Sequence, residues 1–281
     1  MSDYNNSDQI EFWSSKAGHK WVARQAELDT LMKPVLDGVL ARAELNSGLR
    51  VLDIGCGAGA ACLAAAEAVG TAGAVLGVDV SEPLLNLARK RSAALPQIAF
   101  HHGDATTLQL DPPYDRLISR FGVMFFADPV LSFRRMAAQL TPGARISFAA
   151  WGQIPENPFF TLPARAARAT LGAMPQIDPD APGPFAFRDP ERIQAILTQA
   201  GFAEVRCEVA KIDLTPAGSV DDLAQQMCDI GPAGGAVTHF EPSAKQVDEL
   251  RQTIADALRP FAENGPFHLP AEINFVTAIK P

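Results

Sequence analysis

Three aspartates stand at spaced positions in the first half of the chain. They are Asp53 in R-V-L-D-I-G-C-G-A-G, Asp79 in G-V-D-V-S and Asp104 in G-D-A. The first precedes a glycine-rich turn. Glycines without a Cβ let a ligand lie against the backbone, and a following helix N-terminus adds free N–H groups. G-C-G-A-G-A also satisfies the fingerprint G-x-G-x-x-G/A, so the glycines alone leave open a dinucleotide or another adenosine-containing ligand. Asp53, two residues ahead of Gly55, separates the two. A carboxylate there repels a pyrophosphate and welcomes a positively charged amino-acid moiety. Asp79, about twenty residues past Gly59, falls where a carboxylate grips both hydroxyls of a ribose. Asp104 with Ala105 can read an adenine edge. Asp53 or Asp79 singly is also a reasonable helix cap; the spaced trio is much harder to dismiss that way.

A strand–helix alternation must position these groups. The patterns predict strand Val51–Ile54, helix Ala58–Val69, strand Ala74–Val80 and a helix from Ser81-Glu82-Pro83 to about Ser92. Strand Ile98–His101, a loop over Gly103–Pro113 and strand Arg116–Ser119 follow. Then come helix Pro129–Leu140, a turn at Thr141-Pro142-Gly143 and strand Ala144–Ala150. Units of this kind build a parallel, doubly wound α/β sheet. Helices are expected over 8–17 and 20–45, with Pro34 as a kink. Residues 152–188 hold seven prolines and no clear strand, as an insertion would. Helix Asp189–Ala200 and strand Ala203–Val209 resume the sheet. A second non-sheet segment over 213–268 carries helical stretches at 219–229 and 243–261, before a last strand Glu272–Ile279.

The 281 residues carry 24 Lys and Arg against 32 Asp and Glu, a formal charge of −8, which disfavours a phosphate backbone as partner. The basic run Arg89-Lys90-Arg91 reads most simply as a favourable placement at a helix C-terminus. Cys56, Cys62, Cys207 and Cys228 are scattered, without metal-site spacing or a disulfide framework, and read as reduced and structural. No apolar run reaches the ~20 residues of a membrane span. The polar start M-S-D-Y-N-N lacks a signal-peptide pattern, so a cytoplasmic protein is expected.

V-L-D-I-G-C-G-A-G, G-V-D-V-S, G-D-A, S-R-F-G-V-M-F-F-A-D-P and L-T-P-G-A-R-I-S-F-A-A-W together resemble the class I S-adenosylmethionine-dependent methyltransferases, most closely the ubiquinone/menaquinone-biosynthesis type. The match is tight over about 46–151. It departs at Ala144, where the usual L-x-P-G-G turn has a second glycine. The resemblance implies a Rossmann-like seven-stranded sheet whose last strand is antiparallel. It implies S-adenosyl-L-methionine as cofactor, with Asp53, Gly55 and Gly57 cradling its methionine part. Asp79 would hold the ribose, Val80 would pack on the adenine, and Asp104 and Ala105 would address the adenine edge. Ser119, Arg120 and Phe121 would end the fourth strand where substrate and cofactor meet. The expected organisation is an N-terminal helical lid (1–45), a core (46–151, continued at 189–212 and closed by the strand in 269–281), and two insertions forming a cap (152–188 and 213–268).

Methyl transfer from a sulfonium needs an in-line acceptor in a site that excludes water, and needs no metal. Nine of the sixteen phenylalanines lie between 121 and 187, and Phe121, Phe125 and Phe126 follow the strand end facing the cofactor. An apolar or aromatic small-molecule acceptor suits them. Trp13 and Trp21 belong to the lid or simply to its packing, with Trp21 the candidate cofactor contact. His19 and His239 are the candidate bases, against the commoner structural histidine. Arg120 is a third candidate, pairing an acidic group on the acceptor or fixing Asp128 or Asp104. A second copy of the chain is a further candidate partner. Two other functions fit parts of the pattern: a nicotinamide-dependent oxidoreductase, which Asp53 opposes, and a non-catalytic S-adenosylmethionine-binding partner protein. Arsenite methylation would want more clustered cysteines.

Overall fold

A computed structural model of the chain describes residues 6–110, 113–263 and 265–281. Asp111 and Pro112 of the expected loop, and the first five residues of the expected lid, lie outside the described residues. In chain order the elements are α1 (Ser7–Ser14), α2 (Lys16–Ala23), α3 (Gln25–Leu31), α4 (Lys33–Ala43), β1 (Arg50–Ile54), α5 (Ala60–Val69), β2 (Ala74–Asp79), α6 (Glu82–Arg91), β3 (Ile98–His102), β4 (Tyr114–Arg120), α7 (Pro129–Ala137), β5 (Leu140–Trp151), α8 (Pro158–Thr170), α9 (Pro190–Gln199), β6 (Ala203–Leu214), α10 (Val220–Asp229), α11 (Gly231–Phe240), α12 (Ala244–Leu258) and β7 (Leu269–Ile279).

The seven strands form one sheet in the order β3-β2-β1-β4-β5-β7-β6. β1 to β5 are parallel, and β7 runs antiparallel between β5 and β6. The strand order reverses between β1 and β4, the place where doubly wound sheets open a crevice at their carboxyl ends. Val51, Leu52 and Ile54 are buried because a central parallel strand is covered on both faces. α5 lies close against that sheet through Ala61, Cys62, Ala65, Ala66 and Val69. A Cβ on Gly77 would meet the Cys56 and Cys62 sulfurs at 2.8 Å, so glycine there permits the approach.

The expected long N-terminal helix is instead three helices, broken at Arg24 and Met32. Pro34 sits in the first turn of α4 and starts that helix rather than kinking one. The expected turn at 141–143 is absorbed into β5 as an irregularity: the pairing slips between Tyr114–Leu140 and Arg116–Arg145, with Gly143 at φ +79°. Gly231–Phe240, too rich in glycine to read as a helix, forms α11. Its backbone packs so tightly that a Cβ on Gly234 would lie 2.6 Å from the Asp229 carbonyl. α10 packs on α11 and α12, and α8 on both of these. These helices leave the sheet after Leu214 and rejoin it at Leu269, which pairs with Leu214 at its carboxyl edge. Phe133, Phe148 and Phe187 fill the core between β5 and its helices.

Candidate functional site

β1 ends in the turn Gly55–Gly59, with Gly55, Gly57 and Gly59 at φ +68°, +53° and +82°. These are left-handed conformations that side chains rarely adopt. A Cβ on Gly55 would sit 2.6 Å from the Gly122 Cα, so the turn touches the exit of β4 backbone to backbone. Among the described residues nothing lies within 4 Å of the place a Gly57 Cβ would occupy, which leaves that side of the turn open. The Gly55 and Cys56 N–H groups bond to the Val78 carbonyl at 2.8 and 3.1 Å. The Gly57 N–H donates to Asp79 Oδ2 at 2.7 Å, and the Ser81 N–H to Asp79 Oδ1 at 2.8 Å. One carboxylate therefore joins the glycine turn to the start of α6. Burial raises the Asp79 carboxyl above its ordinary range, opposed by these N–H bonds.

Asp53 is only 1% exposed. Its Oδ2 accepts the Cys62 thiol at 3.1 Å, while its Oδ1 is buried without a partner. Burial pushes this carboxyl up to about 7, against the Cys62 bond and the charge of Arg120, which favour ionisation. The same burial lifts the Cys56 thiol to about 11. Such a thiol is an inert packing group at neutral pH.

α1 and α2 lie across the ends of β2 and β3. The Asn6 amide donates to Asp104 Oδ2 at 2.9 Å and accepts from the Ala127 N–H at 2.9 Å. The Ser14 hydroxyl donates to the Val80 carbonyl at 3.2 Å, and the Ser81 hydroxyl to the Trp13 carbonyl at 2.8 Å. Asp104 also accepts the Thr106 N–H at 2.8 Å, and Ala105 packs against the core. Trp13 meets Trp21 edge-on at 5.3 Å and Phe125 at 5.6 Å, which joins α1 and α2 to the loop after β4. Arg24, between α2 and α3, donates to Asp229 at 2.9 and 2.5 Å, tying this segment to α10.

At the end of β4, Ser119 is fully buried. Its hydroxyl donates to the Ile54 carbonyl at 2.7 Å and accepts the Gly122 N–H at 3.1 Å, so it holds the two strand exits together. Phe121 carries φ +66°, a strained conformation for an aromatic residue. Its ring lies parallel to Trp151 at 4.4 Å. Trp151 in turn stacks on Phe159 at 6.1 Å and meets Phe160 edge-on at 4.9 Å, and Phe185 meets Phe160 at 4.9 Å. Arg120 contacts neither Asp128, which caps α7, nor Asp104. It faces Asp29 of α3, Nη2 to Oδ1 at 3.5 Å.

The structure thus gathers Asp53, Gly55, Gly57, Asp79, Val80, Asp104 and Ala105 at the ends of β1 to β3, with Trp21 above through Trp13. Ser119, Arg120 and Phe121 stand beside them on β4. His19 and His239 are exposed on α2 and α11. The His19 ring contacts its own helix at Ser15 O, 3.2 Å away, and His239 lies edge-on to Phe240 at 4.7 Å. Pattern reading missed Asn6, Asp29 and Arg91, which bond to residues 33 to 121 positions away in sequence. It also missed the stacking role of Trp151. A lone Asn or Asp on a polar helix gives no local signal.

A family model described as a methyltransferase domain matches residues 45–166. The demethylmenaquinone methyltransferase of Staphylococcus aureus is 31% identical over 103 residues, spanning 36% of this chain and 43% of that enzyme. That of Staphylococcus saprophyticus is 28% identical over 178 residues, 60% of this chain and 76% of that enzyme. Phosphoethanolamine N-methyltransferase 2 of Haemonchus contortus, solved with phosphomonomethylethanolamine and S-adenosylhomocysteine, superposes with TM-score 0.57 at 18% identity. It covers 100% of this chain, which spans 60% of it. The matched segment is similar to a methyltransferase domain, and the seven-stranded sheet with its antiparallel strand is the one expected of the class I S-adenosylmethionine-dependent methyltransferases. Within that class its sequence is similar to the quinone-biosynthesis type.

The residues present fit the cofactor of that class. The glycine turn has an open side at Gly57, Asp79 stands at the end of β2, and Asp53 holds an unpartnered, buried carboxylate oxygen. Such an oxygen is costly to bury unless something completes its bonding.

Proposed function

We propose that this protein transfers a methyl group from S-adenosyl-L-methionine directly, in line, to a small apolar or aromatic acceptor in the cytoplasm. The observation that carries the cofactor is the buried, partnerless Oδ1 of Asp53 beside the open glycine turn. An anionic oxygen there suits an ammonium and disfavours the pyrophosphate of a dinucleotide. Asp53, Gly55 and Gly57 would hold the methionine part, Asp79 the ribose hydroxyls, and Val80, Asp104 and Ala105 the adenine. When bound, the cofactor supplies an electrophilic methyl group. The chain's own residues bind, orient and exclude water: Trp13, Trp21 and Phe125 close over the strand ends, and Phe121, stacked on the buried Trp151, offers its other ring face to a planar acceptor. The demethylmenaquinone methyltransferases named above act, by their name, on demethylmenaquinone, which agrees with an apolar ring acceptor. Among the described residues no helix is long and apolar enough to cross a membrane.

Titration calorimetry with S-adenosylhomocysteine and with NAD tests the cofactor: heat with the first and none with the second is expected, and the reverse defeats the proposal. A labelled-methyl transfer assay against a metabolite extract then tests catalysis. Label entering an apolar aromatic product is expected. Cofactor binding with no transfer to any acceptor would leave a binding protein in place of an enzyme.

A further inference from the structure

Two buried polar atoms of opposite charge lie unpartnered at the ends of adjacent strands. One is Asp53 Oδ1 on β1; the other is Arg120 Nη1 on β4. Asp53 pairs in register with Ile118, which puts Arg120 two residues further toward the carboxyl edge. The guanidinium is near enough for its charge to act on the Asp53 carboxyl.

Arg120 is also aimed by a relay that begins outside the sheet. Asp29 on α3 faces Arg120 Nη2 through Oδ1 at 3.5 Å. Its Oδ2 accepts from Arg91 Nη2 at 2.7 Å and from Gln25 Nε2 at 2.5 Å. Arg91 Nη1 donates to the carbonyl of Ala58, inside the glycine turn, at 2.7 Å. A single carboxylate on an N-terminal helix therefore fixes both the turn and the arginine beside it. Three donors share its two oxygens, while the Nη1 face of Arg120 stays unused.

Leaving a carboxylate oxygen and a guanidinium N–H buried without partners is expensive in each case. One ligand group satisfies both at once. The α-amino-acid zwitterion carries an ammonium donor and a carboxylate acceptor on the same carbon, and adds no net charge to the pocket. A phosphate suits Arg120 but is repelled by Asp53, and a plain amine suits Asp53 but leaves Arg120 unmatched.

We propose that Arg120 anchors the carboxylate of the cofactor's amino-acid end while Asp53 Oδ1 takes its ammonium, with Asp29 as the positioning residue for Arg120. This rests on the cofactor assignment above and deepens it. Arg120 is then a binding residue, and α3 becomes part of the cofactor site without touching the ligand.

The test pairs S-adenosylhomocysteine with its decarboxylated analogue, which lacks only the carboxylate, in calorimetry on the full chain. Wild type should bind the parent roughly 30-fold or more tightly than the analogue, the loss expected when one partner of a buried charged pair is removed. Arg120→Gln should bind the two ligands within about threefold of each other, the analogue losing far less affinity than the parent. Arg120→Lys should keep part of the discrimination, because it keeps the charge without the planar fork. Asp29→Asn should narrow the ratio, costing the parent more affinity than the analogue, a readout that a general loss of packing does not give. Analogue binding also reports that each variant is folded; if Arg120→Gln does not fold, the Lys and Asp29 variants decide. Undiminished discrimination in Arg120→Gln, or an equal loss for both ligands, overturns the proposal. Failure of wild type to bind either ligand instead overturns the cofactor assignment beneath it.

Discussion

On the β1–β3 side of the sheet's carboxyl edge the groups that face one another are carboxylates and backbone donors. Asp79 binds two N–H groups, Asp104 binds a third, and Asp53 keeps an oxygen in reserve. On the β4–β5 side they are rings: Phe121 on Trp151, then Phe159, Phe160 and Phe185. The first side is rigid and directional, because charge-assisted bonds fix both distance and angle. The second offers area and planarity with few polar demands.

The largest break in this contrast should come from Asp79→Ala. It removes the expected ribose contact and also frees the Gly57 and Ser81 N–H groups. S-adenosylhomocysteine affinity in calorimetry should fall by about 100-fold or more. Normal binding by this variant would refute the ribose assignment.

Asp53 sharpens the comparison through pH. Its carboxyl is raised to about 7 in the free protein, and an ammonium beside it favours the ionised form. Below about pH 7 the ligand must displace a proton, so affinity should decline by up to about tenfold per pH unit and level off above it. Asp53→Asn should bind weakly and lose this dependence. Stability runs the other way. The folded-state value lies above the unfolded 3.8, so the contribution of Asp53 is most favourable below pH 4 and is lost as pH rises through about 7. Asp53→Asn should therefore melt higher than wild type at pH 8 and show no such advantage at pH 4, as scanning calorimetry can read.

Phe121→Ala probes the ring side. It removes the stack on Trp151 and eases the backbone at φ +66° little, since alanine also disfavours that region. Acceptor KM should rise by roughly tenfold with S-adenosylhomocysteine affinity nearly unchanged. Equal losses for cofactor and acceptor would erase the division between the two sides. Asn6→Ala should have the smallest effect. Losing its bonds to Asp104 and Ala127 should speed cofactor release by about fivefold in stopped-flow measurements.

The cofactor half was the legible half, since a glycine turn and strand-end acids are local signals set by backbone geometry. V-L-D-I-G-C-G-A-G announces a strand, a turn and a helix within ten residues. Arg91 shows where such reading stops. It belongs to a basic run at a helix end, where the dipole accounts for a cation, yet its side chain turns inward to Ala58 and Asp29. α11 shows the same limit in secondary structure, because its glycines oppose a helix and close packing imposes one.

The sequence by itself determined the alternating sheet, the glycine turn, the three acids and the resemblance that names a cofactor class. Each of these depends on residues near one another along the chain. Only the tertiary structure decided which charges meet. Asp29 reaches Arg120 and Arg91 because α3 packs beside the ends of β4 and α6, and Asn6 reaches Asp104 because α1 crosses β3. Bonds between residues that far apart in sequence form only after the sheet has brought its strand ends to one edge, and no periodicity in the chain records them.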